Sequence, residues 1–189
     1  MNKRKKSLIG LKNKKIPHDP NEILAIVNEK DEVIGKATRK EIHENGTLHR
    51  EVNIFILNSK NELLLQKRKD RAIWDFGTSG HFPYNQTYEE AAVREVFEEL
   101  GIKIKKSELI FVAKEINHST QIVNNRFAKI FLLKKDFNLN EFNIDKDEIL
   151  EVKYFNENDL NELLKKETAT TGVLAKVLKK YLLGKLDHY

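Results

Sequence analysis

Three glutamates near the middle of the chain, Glu95, Glu98 and Glu99, have the residue type and spacing of a cation site. Residues three and four apart are neighbours on a helix, so the three carboxylates share one side if this stretch is helical. Like charges at such spacings destabilise an isolated helix by about 0.2–0.5 kcal/mol per pair. A divalent cation removes that repulsion, and Mg²⁺ and Mn²⁺ prefer carboxylate oxygens. Two interpretations are open at this point: a Mg²⁺ or Mn²⁺ site, and an acidic face that only meets solvent.

The segment that carries these glutamates has the signals of a complete helix. Thr87 followed by Glu90 fits a capping box, which predicts a helix that begins at Tyr88. Gly101 suits the left-handed residue that ends a helix. At 100° per residue, one side of this helix is apolar and carries Val93, Val96, Phe97 and Leu100. We therefore expect the apolar side to pack inward and the glutamates to face the other way.

The stretch from Gly80 to Ile102 resembles the Nudix box, Gly-x5-Glu-x7-Arg-Glu-U-x-Glu-Glu-x-Gly-U, in which U is an aliphatic residue. The matching positions are Gly80, Arg94, Glu95, Val96, Glu98, Glu99, Gly101 and Ile102. One position departs, because Gln86 stands where the box has its first Glu. The motif is long and its spacing is fixed, so the resemblance favours the metal site over the solvated face.

The resemblance implies a metal-dependent hydrolase that cleaves the diphosphate bond of a nucleoside diphosphate linked to another group, X, or of a related organic diphosphate. A cation at such a bond neutralises phosphoryl oxygens and lowers the pKa of a bound water. The implied cofactor is Mg²⁺ (or Mn²⁺), and the implied partner is a small-molecule diphosphate substrate. The implied metal ligands are Glu95, Glu98, Glu99 and a backbone carbonyl near Ser79 or Gly80. The implied catalytic residues are Glu98 as ligand or base, Glu95, and Arg94 as an orienting group.

Residues outside the box are expected to complete the site. Lys67 and Arg68 lie just upstream and are candidates for contacts with the substrate phosphates, as is His81. A solvated strand end is the alternative for the two basic residues. Glu148 and Glu151 are candidates for a general base outside the box.

The isopentenyl-diphosphate isomerases share the Nudix fold and offer a second interpretation. The stretch from Leu48 to His81 resembles them, and His49 and His81 fall where their metal-binding histidines lie. His43 approximates the third. The alternative is that these histidines are hydrogen-bonded residues of the fold.

Three positions argue against isomerase activity. The catalytic cysteine of the isomerases corresponds to Ser79, and the chain contains no cysteine. Their two metal-binding glutamates fall near Asn124 and Arg126.

A third interpretation is a non-catalytic Nudix-fold module that binds a ligand, although such modules generally lose box carboxylates that are retained here.

The basic charge of the chain is concentrated at one end. The 189 residues have a formal net charge of +5, but residues 1–18 hold seven basic residues and no acidic one. The remainder carries 27 basic and 29 acidic residues. We expect residues 1–18 to be a disordered, solvated tail, with an electrostatic contact to RNA as the alternative.

Composition excludes several classes of protein. The absence of cysteine excludes disulfides, thiolate metal sites and cysteine nucleophiles. No apolar run approaches the ~18 residues that span a bilayer, and no signal-peptide core is present. We expect a cytoplasmic protein with no membrane partner. The family resemblance adds a homodimer as one expectation.

The elements that must position the box form an alternating series. Strands are predicted at 23–27, 33–38, 51–57, 62–67, 108–114, 122–123, 127–133 and 151–155, and helices at 39–44, 88–100, 156–166 and 172–183. Residues 77–80 are expected to be a flexible approach to the box. The pattern predicts an α/β (α+β) fold with a mixed sheet between helices, which agrees with the α/β/α sandwich and loop-helix-loop motif of the Nudix fold. We expect residues 19–189 to be a single domain with a C-terminal helix.

Overall fold

The computed structural model describes residues 19–118, 124–166 and 168–189. Within them, two strands form an antiparallel hairpin, β1 (Ile23–Val27) and β2 (Val33–Thr38). The larger sheet contains β3 (His49–Leu57), β4 (Leu63–Arg68), β5 (Trp74–Asp75), β6 (Thr78–His81), β7 (Leu109–Asn117), β8 (Arg126–Lys134) and β9 (Ile149–Phe155). The pairing of β3 with β8 is parallel and the other ladders are antiparallel. The predicted mixed sheet is confirmed.

The helices lie on both faces of this sheet. They are α1 (Arg39–Asn45), α2 (Tyr88–Leu100), α3 (Glu157–Leu164) and α4 (Gly172–Val177), with a π-helical turn at Leu178–Leu182. Alternate residues of β3 point to opposite faces, as the strand period of two requires. Val52, Ile54 and Ile56 pack in the core that contains α2, whereas Phe55 and Leu57 pack in the core that contains α3 and α4. This is the α/β/α sandwich that the sequence predicts.

Three sequence-based expectations need correction. Residues 77–80 are not a flexible approach, because β6 pairs with β3 from Thr78 to His81. The C-terminal helix is not one α-helix, since it changes to a π-helical turn at Leu178. Phe97, predicted on the apolar side of α2, is 37% exposed. The side of α2 that packs against the sheet instead includes two small residues, Ala91 and Ala92, which are fully buried.

Two further predictions lie outside the described residues. They are the tail at 1–18 and the short strand at 122–123. No helix in the described part of the chain is both long and apolar enough to cross a membrane.

Candidate functional site

Helix α2 has both ends that the sequence predicts. The Thr87 side chain accepts a hydrogen bond from the Glu90 backbone N–H at 3.2 Å, and the Glu90 carboxylate accepts one from the Thr87 N–H at 3.0 Å. Gly101 ends the helix with φ of 73°, in the left-handed region that glycine tolerates. Local sequence therefore fixes where this helix begins and ends.

Two of the three glutamates are buried in a cavity and not spread on a solvent face. Glu95 is 0% exposed and Glu99 is 4% exposed, and both line a cavity of about 830 Å³. The Gln66 amide donates a hydrogen bond to Glu99 Oε2 at 3.2 Å. Buried carboxylates are expensive unless cations or donors meet them. This placement is incompatible with a merely solvated acidic stripe.

Gly80 brings strand β6 against these carboxylates. It lies opposite Val52 in the β3–β6 ladder, and a Cβ atom at position 80 would overlap with the Glu95 carboxylate. Only glycine lets the strand approach α2 this closely. Gly80, the first residue of the box, therefore brings the β6 backbone against Glu95.

Arg94 contacts several residues of the box at once. Its guanidinium lies 2.7 Å from Glu95 Oε1 and 2.6 Å from Glu98 Oε2. It also donates to the His81 carbonyl at 3.2 Å and to the Gln86 side-chain oxygen at 3.2 Å. Gln86 therefore keeps a contact with Arg94, without the charge that a glutamate would bring. Glu98, whose side chain is 31% exposed, lies at the edge of this network.

The cavity also has basic residues in its wall. Arg68 lines it and is held by Asp70, with Nε–Oδ1 and Nη2–Oδ2 distances of 3.0 and 3.1 Å. Asp75 lies 3.5 Å from the same guanidinium and accepts a hydrogen bond from Thr171 at 2.8 Å. These contacts fix the direction of Arg68, so its positively charged guanidinium faces the same cavity as Glu95 and Glu99.

The remaining predicted site residues divide between the cavity and its surroundings. His81 and Glu148 line the cavity. Lys67 instead lies with Glu151, with an Nζ–Oε1 distance of 3.3 Å between exposed side chains. The sequence analysis did not single out Asp75 or Thr171. The local signal for Asp75 was an acid directly before the apolar Phe76. Its hydrogen-bond partner, Thr171, is 96 residues further along the chain, so no local signal points to the pair.

A second cluster in the same cavity contains His43, His49 and His81. One ring nitrogen of each lies within 4.8 Å of the others, and this is the only group of three or more such donors so close together in residues 19–118, 124–166 and 168–189. Burial lowers the pKa of His49 to about 4 and lowers the pKa of His81 well below its ordinary value. Both imidazoles are therefore neutral near pH 7, which is the form that binds metals.

The residues that depart from the isomerase pattern lie beside this cluster. Ser79, Asn124 and Arg126 all line the cavity. Arg126 Nε is 2.9 Å from Glu51 Oε2, so the position of one isomerase carboxylate holds a cation paired with an acid of β3. The sequence analysis missed Glu51, although an acid inside a run of strand residues was a signal.

Comparisons with known proteins agree with the motif. The NUDIX domain family model matches residues 47–177. This chain belongs to the Nudix family. An uncharacterized Nudix hydrolase of Clostridium acetobutylicum is 32% identical over 139 residues, which cover 68% of this chain and 67% of the relative. The chain is accordingly a Nudix-type pyrophosphohydrolase, an enzyme class that acts on acid anhydrides.

Two other relatives extend the comparison. The isopentenyl-diphosphate Delta-isomerase 2 of Photorhabdus laumondii is 32% identical over 144 residues, which cover 72% of this chain and 78% of that protein. The crystal structure of DR0079 from Deinococcus radiodurans superposes with a TM-score of 0.70 at 26% identity, and the match covers 85% of this chain and 99% of that one. The chain is thus similar both to a protein named as a Nudix hydrolase and to one named as an isopentenyl-diphosphate isomerase.

Nudix hydrolases generally use a divalent metal, and the residues here fit one. Glu95 and Glu99 offer two buried carboxylates to one cavity, and oxygen ligands of this kind suit Mg²⁺ and Mn²⁺. Gly80, at the same wall, lets the β6 backbone approach the Glu95 carboxylate because it has no side chain.

Proposed function

We propose that this Nudix enzyme uses Mg²⁺ or Mn²⁺ to hydrolyse the diphosphate bond of a nucleoside diphosphate linked to X, or of a related organic diphosphate. The observation that carries the proposal is the burial of Glu95 and Glu99 in a cavity that Arg68 also lines. Buried acids and a fixed guanidinium suit a metal–diphosphate complex, which presents a cation to the acids and phosphate oxygens to the arginine.

Each residue of the site has a proposed role. Glu95 and Glu99 hold the metal together with Glu98 and the backbone near Gly80, and the bound metal supplies charge neutralisation and a more acidic water. Arg68 binds a substrate phosphate, with Asp70 and Asp75 fixing its direction. Lys67 and His81 are further candidates for substrate contact.

Arg94 and Glu98 have coupled roles in this proposal. Arg94 holds both Glu95 and Glu98, so it orients the ligands and does not itself meet the substrate. Glu98 serves as ligand or base. Glu148 is the second candidate for a base, because it lines the cavity whereas Glu151 pairs with Lys67 outside it.

A panel of diphosphate compounds tests the proposal. Phosphate or nucleotide release is measured with Mg²⁺ or Mn²⁺ for the wild type, Glu95→Gln and Glu99→Gln. We expect turnover of at least one compound and a loss of about 100-fold or more in each variant, since removal of a metal ligand removes the charge stabilisation. Glu89→Gln is the matched control on the same helix, because Glu89 pairs with Lys129 and does not line the cavity.

A second candidate function is the isomerisation of isopentenyl diphosphate. The proximity of His43, His49 and His81 to one another favours isomerase activity. Ser79 and Arg126 argue against it, because they stand in place of the catalytic cysteine and one metal-binding carboxylate of the isomerases. Conversion of isopentenyl diphosphate without release of phosphate distinguishes isomerase from hydrolase. A folded protein with neither activity across the panel points to a ligand-binding module.

Three further proposals concern assembly, location and a second kind of substrate. A homodimer is proposed from the family resemblance, and a cytoplasmic location from the composition. An RNA substrate is proposed only through residues 1–18, and it predicts activity that falls steeply with salt, a dependence that is lost when those residues are deleted.

A further inference from the structure

Asn53 lies in the wall of the cavity and its amide makes no hydrogen bond. The residue is 0% exposed, and it lines the same cavity as Glu95, Glu99 and Arg68. Neither Oδ1 nor Nδ2 of Asn53 has a hydrogen-bond partner in the described part of the chain. A buried amide without partners destabilises a folded protein, so most buried polar groups are paired. This amide therefore requires an explanation.

The strand neighbours of Asn53 do not supply partners for both atoms of its amide. On the same face of the sheet, Glu51 and Phe55 lie two residues away along β3, and Ser79 and Ile130 lie directly opposite on β6 and β8. The side chains of Phe55 and Ile130 are hydrocarbon and cannot hydrogen-bond. Ser79 also lines the cavity, but it makes no hydrogen bond to the amide.

Glu51 is the charged neighbour of Asn53. Burial raises the pKa of Glu51, and Arg126 and the Asn53 amide oppose that rise, so both lie near its carboxylate. Arg126 Nε is 2.9 Å from Glu51 Oε2. A carboxylate in such an ion pair only accepts hydrogen bonds, so it cannot serve Asn53 Oδ1. The amide therefore keeps its acceptor, and at least one of its two N–H donors, for a molecule in the cavity.

The cavity around Asn53 suits a flat ring with a polar edge. Its volume of about 830 Å³ lies within the range of about 300–1,000 Å³ for small-molecule sites. Phe76 and Val173 supply apolar surface in a wall that is otherwise mostly polar. The neighbouring acceptor and donor of an asparagine amide match the edge of a nucleobase, as in the pairing of Asn with adenine. A hydrocarbon chain would leave the amide unpaired.

We propose that Asn53 is a specificity-determining residue that hydrogen-bonds the base of a nucleoside diphosphate substrate, whose diphosphate lies at Glu95, Glu99 and Arg68. This inference rests on the proposed hydrolase function and narrows its substrate from organic diphosphates in general to those that carry a nucleobase. The unpaired amide destabilises the free protein, and a base with a donor beside an acceptor relieves that cost on binding. An isoprenoid diphosphate does not relieve it.

Binding of uncleavable analogues tests this assignment. The α,β-methylene analogues of ADP, GDP, CDP and UDP are titrated into the full chain by calorimetry with Mg²⁺, and methylenediphosphonate, which has no base, is the reference. We expect the wild type to bind at least one nucleotide analogue about tenfold or more tightly than the reference. Asn53→Ala weakens that analogue about 10–100-fold, narrows the differences among the four bases, and changes the affinity for methylenediphosphonate less than about twofold.

Thermal unfolding of the ligand-free protein gives a second readout, which a merely structural asparagine would move in the opposite direction. Because the Asn53 amide is unpaired, Asn53→Ala should leave Tm unchanged or raise it by up to about 2–4 °C. Asn58→Ala is the matched control. Asn58 is a buried asparagine outside the cavity, and its Oδ1 accepts hydrogen bonds from the Lys60 and Glu62 backbone N–H groups at 3.0 and 2.9 Å. We expect Asn58→Ala to lower Tm by about 2–4 °C and to leave the analogue affinities unchanged.

Four results would each overturn the assignment. The first is a wild type that binds no nucleotide analogue more tightly than methylenediphosphonate. The second is an Asn53→Ala variant with the affinities of the wild type. Equal weakening of all four analogues places the contact on the shared ribose and not on the base. A loss of Tm in Asn53→Ala as large as that in Asn58→Ala means that the amide is already satisfied in the folded protein.

Failure of this inference is distinguishable from failure of the hydrolase proposal. The base contact is read from binding of uncleavable analogues and from Tm. The hydrolase proposal is read from metal-dependent turnover that is lost in Glu95→Gln and Glu99→Gln, and turnover of a diphosphate without a base would support it while the Asn53 assignment fails.

Discussion

The backbone of Gly80 lies against the carboxylate of Glu95, so closely that a Cβ atom at position 80 would overlap with it. We expect Gly80→Ala to lower kcat/KM about 10–100-fold, because a displacement of about 1 Å at a catalytic group can cost that much. Steady-state kinetics with the best substrate of the panel measure the change. Gly35→Ala is the control, since its Cβ would meet the nearest atom at 3.7 Å, an ordinary contact. Equal activity of both variants would contradict the role of Gly80.

Gln86 supports Arg94 without charge, at an Nε–Oε1 distance of 3.2 Å. We expect Gln86→Ala to lower kcat/KM about tenfold, because Arg94 then loses one of the contacts that hold it beside Glu95 and Glu98. Gln86→Glu restores a charged partner and should match or exceed the wild type. The comparison uses kinetics and metal affinity together. An inactive Gln86→Glu would show that Arg94 needs a neutral partner here.

Asp31 joins the β1–β2 hairpin to the start of α2. Its carboxylate is 2.7 Å from Arg50 Nε and accepts hydrogen bonds from the Tyr88 hydroxyl at 3.2 Å. Asp31 has φ of 63°, a conformation that Asn tolerates, so Asp31→Asn changes charge without backbone strain. We expect a loss of about 2–4 kcal/mol in the free energy of unfolding, because Arg50 keeps a mostly buried charge without its acid.

Urea unfolding monitored by fluorescence measures the Asp31 effect. Glu162→Gln is the control, since its pair with Lys165 is exposed and contributes less than about 1 kcal/mol. Losses of the same size in both variants would contradict the importance of the Asp31 cluster.

Glu115 gives the stability of the C-terminal segment a pH dependence. Partial burial alone raises the pKa of Glu115, but hydrogen bonds from Lys180, Tyr181 and Lys176 outweigh it and lower the pKa to about 2. A lowered pKa means that the stabilisation is complete above the ordinary value of 4.5 and is lost as pH falls towards about 2. We expect Glu115→Gln to cost about 1 kcal/mol at pH 7, because solvent screens the exposed lysines.

Unfolding of the wild type and Glu115→Gln is compared at several pH values between 7 and 2. The difference in stability should shrink as the pH falls below 4.5. A difference that stays constant over the whole range would mean that the charge of Glu115 contributes nothing.

Local sequence was sufficient to predict the helix of the site. Thr87, Glu90 and Gly101 act through hydrogen bonds within a few residues, so the bounds of α2 follow from the sequence. The Nudix family assignment is also confirmed, because the box lies almost wholly within one helix and the turn before it.

Contacts that depend on strand register could not be predicted. His49, Glu51 and His81 meet because β3 pairs with β6 in one register, and Arg126 joins them because β3 pairs with β8 in another. A shift of either strand by one residue would move these side chains to the opposite face. The burial of Glu95 and Glu99 could not be predicted either, since sequence alone does not say which side of α2 faces the cavity.

The most direct test of the hydrolase account is Mn²⁺ binding and turnover measured on the same samples of wild type and of the Glu95→Gln, Glu99→Gln double variant. Electron paramagnetic resonance of free Mn²⁺ reports binding, and release of phosphate or nucleotide reports turnover. We expect the double variant to stay folded and to lose Mn²⁺ binding and turnover together. Turnover at the wild-type rate in the double variant, or in metal-free wild type, would contradict it.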